Sequence, residues 1–286
     1  MVDELSALVP LAPELAVVAA ALLILVIDTF SREKHGGVAV VVAFIGVLAA
    51  FVATAFHLAA GTDVLLFYDT VAVDGFALFF NAAVLVATAL VLVSSTEYVE
   101  KFCPERRENM TEFAVLVLFA ASGMLLMASS RSLVTAFIAL ELAALPSYAL
   151  VAFAKKDRAG VEGAMKYFLL GALTSAVLLY GISLVYGATG TFDFVGIADA
   201  LAGGDSVGLA GLGALLILVG LGFKIAAFPF HVWAPDAYTG APTPVAAFLS
   251  SASKIAGFVL LFRLFVVAFP AELDWLLQSR YSPWRR

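Results

Sequence analysis

Residues 209–268 read LAGLGALLILVGLGFKIAAFPFHVWAPDAYTGAPTPVAAFLSSASKIAGFVLLFRLFVVA. The first part is apolar enough and long enough to cross a bilayer as a helix, and it carries Lys224 at mid-depth. Pro229 then removes a backbone donor and frees a carbonyl about one turn earlier, which a membrane helix tolerates only where protein or water supplies a replacement. The spacing predicts an interruption at Pro229, a resumption at His231, a Thr-Gly-Ala-Pro-Thr-Pro turn over 239–244, and a further span with Lys254 at its middle. A charged side chain in hydrocarbon costs about 2.5–3.5 kcal/mol on insertion scales, so two mid-span lysines beside a broken helix point to an ion pathway with a wet interior.

Outward from this stretch, the composition agrees. Of 286 residues, 63% are hydrophobic and only 13% charged, which excludes a soluble globular domain. Apolar runs of about 20 residues recur and barrel-type alternation is absent, so the expected fold is all-α and polytopic, with about eight transmembrane helices. The first seven runs are near 15–30, 38–59, 73–95, 113–128, 133–153, 161–186 and 209–228, and the eighth ends near Ala268. The acidic start, with Asp3 and Glu4, is unlike a secretory signal, so the first run reads as a retained span. Between spans six and seven, Asp193 as N-cap followed by Phe194, Ile197, Ala198 and Leu201 at helical spacing predicts a short interfacial helix. Cys103, the single cysteine, offers no disulfide or metal framework and reads as an ordinary loop thiol.

Loop charge gives an expected orientation. The loops after spans one, three and five carry Arg32, Lys34, Lys101, Arg106, Arg107, Lys155, Lys156 and Arg158, whereas those after spans two, four and six carry Arg131 alone. By the positive-inside rule the first set is cytoplasmic, placing the N-terminus outside a cell inner (plasma) membrane. The tail, with Arg280, Arg285 and Arg286, sits badly with that rule.

Depth follows from the 1.5 Å rise per residue: Glu141 lies about 13 Å into span five, in one central layer with Lys224 and Lys254. A carboxylate and lysines at one depth can neutralise one another and exchange a proton as pairing changes. Each has a plainer alternative. Glu141 could lock two helices as a structural ion pair, and the lysines could snorkel, although mid-span positions are the worst for that. Lys166 could simply pair with Glu162 one turn earlier on the same face. His231 has a titration range suited to proton exchange, yet could only cap carbonyls freed by Pro229. Arg263 reads as snorkelling, and Glu14, Asp28 and Asp74 as interface residues at span ends. There is no nucleotide loop, no Rossmann glycine pattern, no haem-type histidine pair, no metal cluster and no sign of nucleic-acid binding. Any redox chemistry lies elsewhere.

Residues 222–254, GFKIAAFPFHVWAPDAYTGAPTPVAAFLSSASK, resemble the signature of the antiporter-like subunits of respiratory complex I (NADH-quinone oxidoreductase), shared with Mrp-type cation/proton antiporters and membrane-bound hydrogenases. Residues 164–191, AMKYFLLGALTSAVLLYGISLVYGATGT, with Ala139-Leu140-Glu141-Leu142 and Pro146-Ser147-Tyr148, resemble subunit N more than L or M. The likeness is specific over about 133–265 and general over the first three spans. It implies roles for Glu141 as the span-five carboxylate, Lys224 as its broken-helix partner, His231 and Lys254 as the connecting relay, and Lys166 as an accessory. It also implies that NADH, FMN, iron–sulfur clusters and quinone are handled by partner subunits, with no cofactor in this chain, and that the chain works with other membrane subunits, the lipid bilayer and protons.

The resemblance divides the chain into three N-terminal spans (1–110), one five-helix repeat holding spans four to eight with a broken seventh helix (111–268), and a non-membrane tail (269–286). The family's second, inverted repeat has no counterpart here. After Phe269 the sequence runs to AELDWLLQSRYSPWRR, so a truncated product with an aberrant tail is expected, or a second half supplied by another chain. The leading expectation is a proton-translocating subunit of an NADH:quinone oxidoreductase. The alternatives are an Mrp-type cation/proton antiporter subunit and a truncated scaffold that pumps nothing.

Overall fold

The computed structural model describes residues 8–30, 36–102, 109–154, 157–203 and 207–269. Arg32, Lys34, Cys103, Arg106, Arg107, Lys155, Lys156 and the tail from 270 onward lie outside the described residues, and so do most of the charges on which the orientation rests.

Among the described residues, eight helical segments are long and apolar enough to span a membrane. A short 3-10 turn, Val9–Leu11, leads into α1 (Ala12–Phe30), followed by α2 (Gly36–Ala59), α3 (Gly75–Phe102), α4 (Met110–Ser129), α5 (Leu133–Val151) and α6 (Arg158–Thr189). The short helix α7 (Phe194–Ala202) precedes α8 (Val207–Ile225), α9 (Ala234–Gly240), α10 (Thr243–Ser250) and α11 (Ala252–Ala268). The seventh span is α8, and the eighth is α10 and α11 together, bent at Ser251. The short helix forms where the spacing placed it: Asp193 Oδ2 accepts the Gly196 amide at 2.8 Å, and Phe194, Ile197 and Leu201 are buried.

The fourth span is the axis of the molecule. It is 78% buried, against 28–50% for the others, and α4 packs against α1, α2, α3, α5 and α11. Elsewhere, small residues set the helix crossings, as expected where no hydrophobic driving force separates helix from lipid. At the crossing of α6 and α8, a Cβ on Gly181 would lie 2.7 Å from the Gly213 carbonyl oxygen, and one on Gly213 would lie 2.7 Å from that of Gly181. The two backbones touch there.

The connections sort onto two faces. On one, a β-hairpin that the loop composition did not announce pairs β1 (Val64–Leu66) with β2 (Val71–Val73), in register Val64 with Val73. The Arg131 amide donates to Thr70 O at 2.9 Å, the Phe194 amide to Arg131 O at 2.9 Å and the Leu133 amide to Phe192 O at 2.9 Å. The loops after spans two, four and six are thereby stitched together through backbone. On the opposite face Tyr98, Ala154, Asp157 and residues 238–243 surround a polar cavity of about 340 Å³.

Candidate functional site

The break in the seventh span is longer than the proline alone predicts. Helix α8 ends at Ile225, Ala226 takes a left-handed φ of 55°, and regular helix returns only at Ala234, so neither an interruption confined to Pro229 nor a restart at His231 is what forms. The residue before a proline is biased out of the helical region, which extends the disruption upstream, and Pro235 in the first turn of α9 favours the later start. Lys224 consequently lies in the last turn of a helix rather than within a continuous one.

An unpaired carbonyl in a buried break is costly, and side chains answer it. Gly222 O accepts the Ala227 amide at 2.8 Å. Phe223 O accepts the Ala226 amide at 3.0 Å and the Trp233 indole N–H at 3.1 Å. Lys224 O accepts from Lys254 Nζ at 3.0 Å. The second lysine thus caps the main chain of the first. The indole that serves Phe223 is itself fixed by stacking on Tyr167, centroids 4.1 Å apart, and Lys254 Nζ lies 4.6 Å from its ring centroid. A cation over an indole is the strongest of the aromatic cation contacts.

Lys224 is buried, and its Nζ has no hydrogen-bond partner among the described residues. Glu141 on α5 acts electrostatically on it, but the carboxylate accepts its hydrogen bond from Ser175 Oγ on α6, at 2.5 Å. Thr174 beside Ser175 bonds back to Leu170 O, so Ser175 alone of the pair turns its hydroxyl across to the neighbouring helix. Lys224 and Lys254 also act on one another. The structure therefore brings Glu141, Lys224 and Lys254 into one cluster.

The other two expected residues lie at its margin. His231 Nδ1 is buried without a partner among the described residues, its ring lies against Phe228 at 5.7 Å, and the freed carbonyls go to Trp233 and Lys254 instead. Lys166 is on the half-exposed side of α6, 2.7 Å from Glu162 Oε1 and 2.7 Å from Asp236 Oδ2, which ties α6 to α9. Sequence reasoning missed Asp236, Trp233, Tyr238 and Ser175. The first three were in view within the quoted motif, whereas Ser175 had only its polarity within an apolar run as a signal. Tyr238 lines the polar cavity, packs edge-on against Trp233 at 5.7 Å and has Lys254 Nζ 5.9 Å from its ring.

Two span-end residues behave differently from the expectation. Arg263 does not snorkel: it is 7% exposed and pairs with Asp74 Oδ1 at 2.6 Å, tying α11 to the start of α3. Glu14, in the first turn of α1, does not stand free at its span end, because Oε1 accepts from Asn81 Nδ2 at 3.2 Å and from Ser129 Oγ at 3.4 Å. Both choices follow from available partners, since a charge that finds a hydrogen-bonded counterpart within the bundle gains less by reaching for water.

Residues 130–278 match the family model described as NADH:quinone oxidoreductase/Mrp antiporter, transmembrane, which is more than half of the chain. The chain belongs to that family. Within the NADH:quinone oxidoreductase/Mrp antiporter family it is similar to NADH-quinone oxidoreductase subunit N of Sphingopyxis alaskensis, at 42% identity over 264 residues, or 92% of this chain and 54% of the relative. It is also similar to F(420)H(2) dehydrogenase subunit N of Methanosarcina mazei, at 39% identity over 93% of this chain and 54% of the relative. Among solved structures, a chain of respiratory complex I from Thermus thermophilus superposes with a TM-score of 0.75 at 32% identity, covering 93% of this chain and 56% of that one. A chain of the archaeal membrane-bound sulfane sulfur reductase shares the fold, with a TM-score of 0.74 at 23% identity. The chain spans about half the length of the curated relatives it matches.

Proposed function

We propose that the chain is a proton-translocating membrane subunit of an NADH:quinone oxidoreductase, in which Glu141, Lys224 and Lys254 relay protons, with His231 and Lys166 at the entry side. The observation that carries this reading is the junction at the helix break: Lys254 holds the main chain of Lys224 while Lys224 Nζ itself is buried and unpartnered, with the Glu141 carboxylate nearby on Ser175. Shifting that carboxylate from Ser175 to Lys224 gives the lysine a counter-charge, and shifting it back withdraws one. A lysine in low dielectric gains and loses its proton readily under such a change. A polar cavity of about 340 Å³, large enough to hold water, lies beside Tyr238, whose ring is 5.9 Å from Lys254 Nζ.

Electron transfer belongs to partner subunits carrying FMN and iron–sulfur clusters and acting on NADH and quinone, and the membrane is a cell inner membrane with the N-terminus outward. That relatives of nearly equal similarity bear the names of an NADH-quinone oxidoreductase and an F(420)H(2) dehydrogenase supports a chain that handles protons and leaves the donor to others. The test is proton uptake in membrane vesicles driven by NADH. Lys224→Ala and Glu141→Gln are expected to lower pumping severalfold while the assembly, judged by native electrophoresis, stays intact. Unchanged pumping in both, with assembly intact, would eliminate the relay and favour a scaffold.

A further inference from the structure

At the start of the first span, outside the lysine row, Glu14 on α1 meets Asn81 on α3 and Ser129 at the end of α4. Glu14 Oε1 accepts from Asn81 Nδ2 at 3.2 Å and from Ser129 Oγ at 3.4 Å. Glu14 Oε2 and Asn81 Oδ1 are both buried, and neither has a hydrogen-bond partner among the described residues. Asn81 is 1% exposed, so water does not serve its oxygen from outside.

Two orphaned oxygens on groups already joined by a hydrogen bond share one remedy. An ionised carboxylate only accepts, and so does an amide oxygen, so with Glu14 charged neither atom can satisfy the other. Each would remain a buried acceptor without a hydrogen, one of them carrying charge. One proton on Oε2 repairs both atoms. An acid O–H on Oε2 that donates to Asn81 Oδ1, with Oε1 keeping the Asn81 N–H, would close a two-bond ring between a carboxylic acid and an amide.

Among the described residues Glu14 forms no ion pair. Asp74 and Arg263 pair with each other, at 2.6 Å. His57 on α2 is held by Val9 O at 3.1 Å and Thr62 Oγ1 at 3.2 Å. Asp28, Glu97, Tyr98, Lys101 and Glu112 lie toward the opposite ends of α1, α3 and α4.

We propose that Glu14 and Asn81 form a proton-holding site, in which Glu14 is a neutral carboxylic acid donating through Oε2 to Asn81 Oδ1. The site ties the first, third and fourth spans together and keeps one exchangeable proton on the face where the even-numbered loops are stitched. It stands apart from the Glu141, Lys224 and Lys254 row, and holds whether or not that row moves protons.

Infrared spectroscopy of the full chain in lipid membranes at neutral pH, with and without sodium, tests the assignment. A carboxylic acid C=O band is expected that disappears in Glu14→Gln and moves to a less hydrogen-bonded frequency in Asn81→Leu. Glu14→Gln is expected to keep the unfolding temperature, because its amide offers an N–H to Asn81 Oδ1 and an oxygen to Asn81 Nδ2, whereas Glu14→Ala lowers it. Two results overturn the proposal. One is a carboxylic acid spectrum identical in the unaltered chain and Glu14→Gln, which means that Glu14 is ionised. The other is a Glu14 acid band that appears only when sodium is removed, which means that a small cation occupies the oxygens instead.

Discussion

Lys254 Nζ donates to the main-chain oxygen of Lys224 at 3.0 Å, so a side chain of the eighth span completes the interrupted backbone of the seventh. Lys254→Met removes that donor and leaves a buried carbonyl unsatisfied, at about 1–3 kcal/mol. Thermal unfolding of the purified chain in detergent should show the loss, and Lys254→Arg, which still donates, should recover most of it. Equal destabilisation by Met and Arg would mean that the carbonyl is not what the lysine supports.

The Trp233 indole makes a second capping bond, to Phe223 O at 3.1 Å. Trp233→Phe keeps an aromatic ring against Tyr167 but has no N–H, and is expected to cost about 1–3 kcal/mol in the same unfolding measurement. Trp233→Leu should cost more, since it also gives up the stacking.

The Asp74–Arg263 pair links residues 189 positions apart, with Arg263 7% exposed and its Nη2 2.6 Å from Asp74 Oδ1. Removing one partner strands the other charge, so Asp74→Asn and Arg263→Met are each expected to cost about 3–5 kcal/mol. The double variant should cost clearly less than the sum. An additive double-mutant cycle would mean that the two charges are not coupled.

At the crossing of α6 and α8, backbone meets backbone. Gly213→Ala pushes a methyl against the Gly181 carbonyl and is expected to cost about 1–3 kcal/mol through overpacking. Gly187 lies on the same α6 with open space where a Cβ would stand, so Gly187→Ala should be neutral or slightly stabilising. Comparison of the two unfolding midpoints separates crossing geometry from helix propensity.

The spans, the short helix after Asp193, the existence of a broken helix and the mid-span placing of Glu141, Lys224 and Lys254 were all legible in the sequence, although only Lys224 is fully buried. Hydrophobic run length fixes where a helix begins and ends, and the rise per residue fixes depth. Neither says which helix a side chain faces. Arg263 was therefore indistinguishable from a snorkelling residue, since its partner Asp74 is far away in sequence. The same holds for Glu14 with Asn81 and for Glu141 with Ser175. The break was misplaced for a different reason. Proline announces its own missing donor and a bias on the residue just before it, whereas the chain turns three residues earlier at Ala226, whose φ of 55° no propensity foretells. The hairpin escaped because each strand is three residues long, too short for alternation to show.

The backbone stitching of Thr70, Arg131, Phe192 and Phe194 bears on mechanics. To spread the loops on that face, several main-chain hydrogen bonds must break together, whereas the opposite face is bounded around its cavity by turns and short helical ends. The ends of the spans on the stitched face are thus riveted into one unit, so that a shift of any one of these loops carries the others with it.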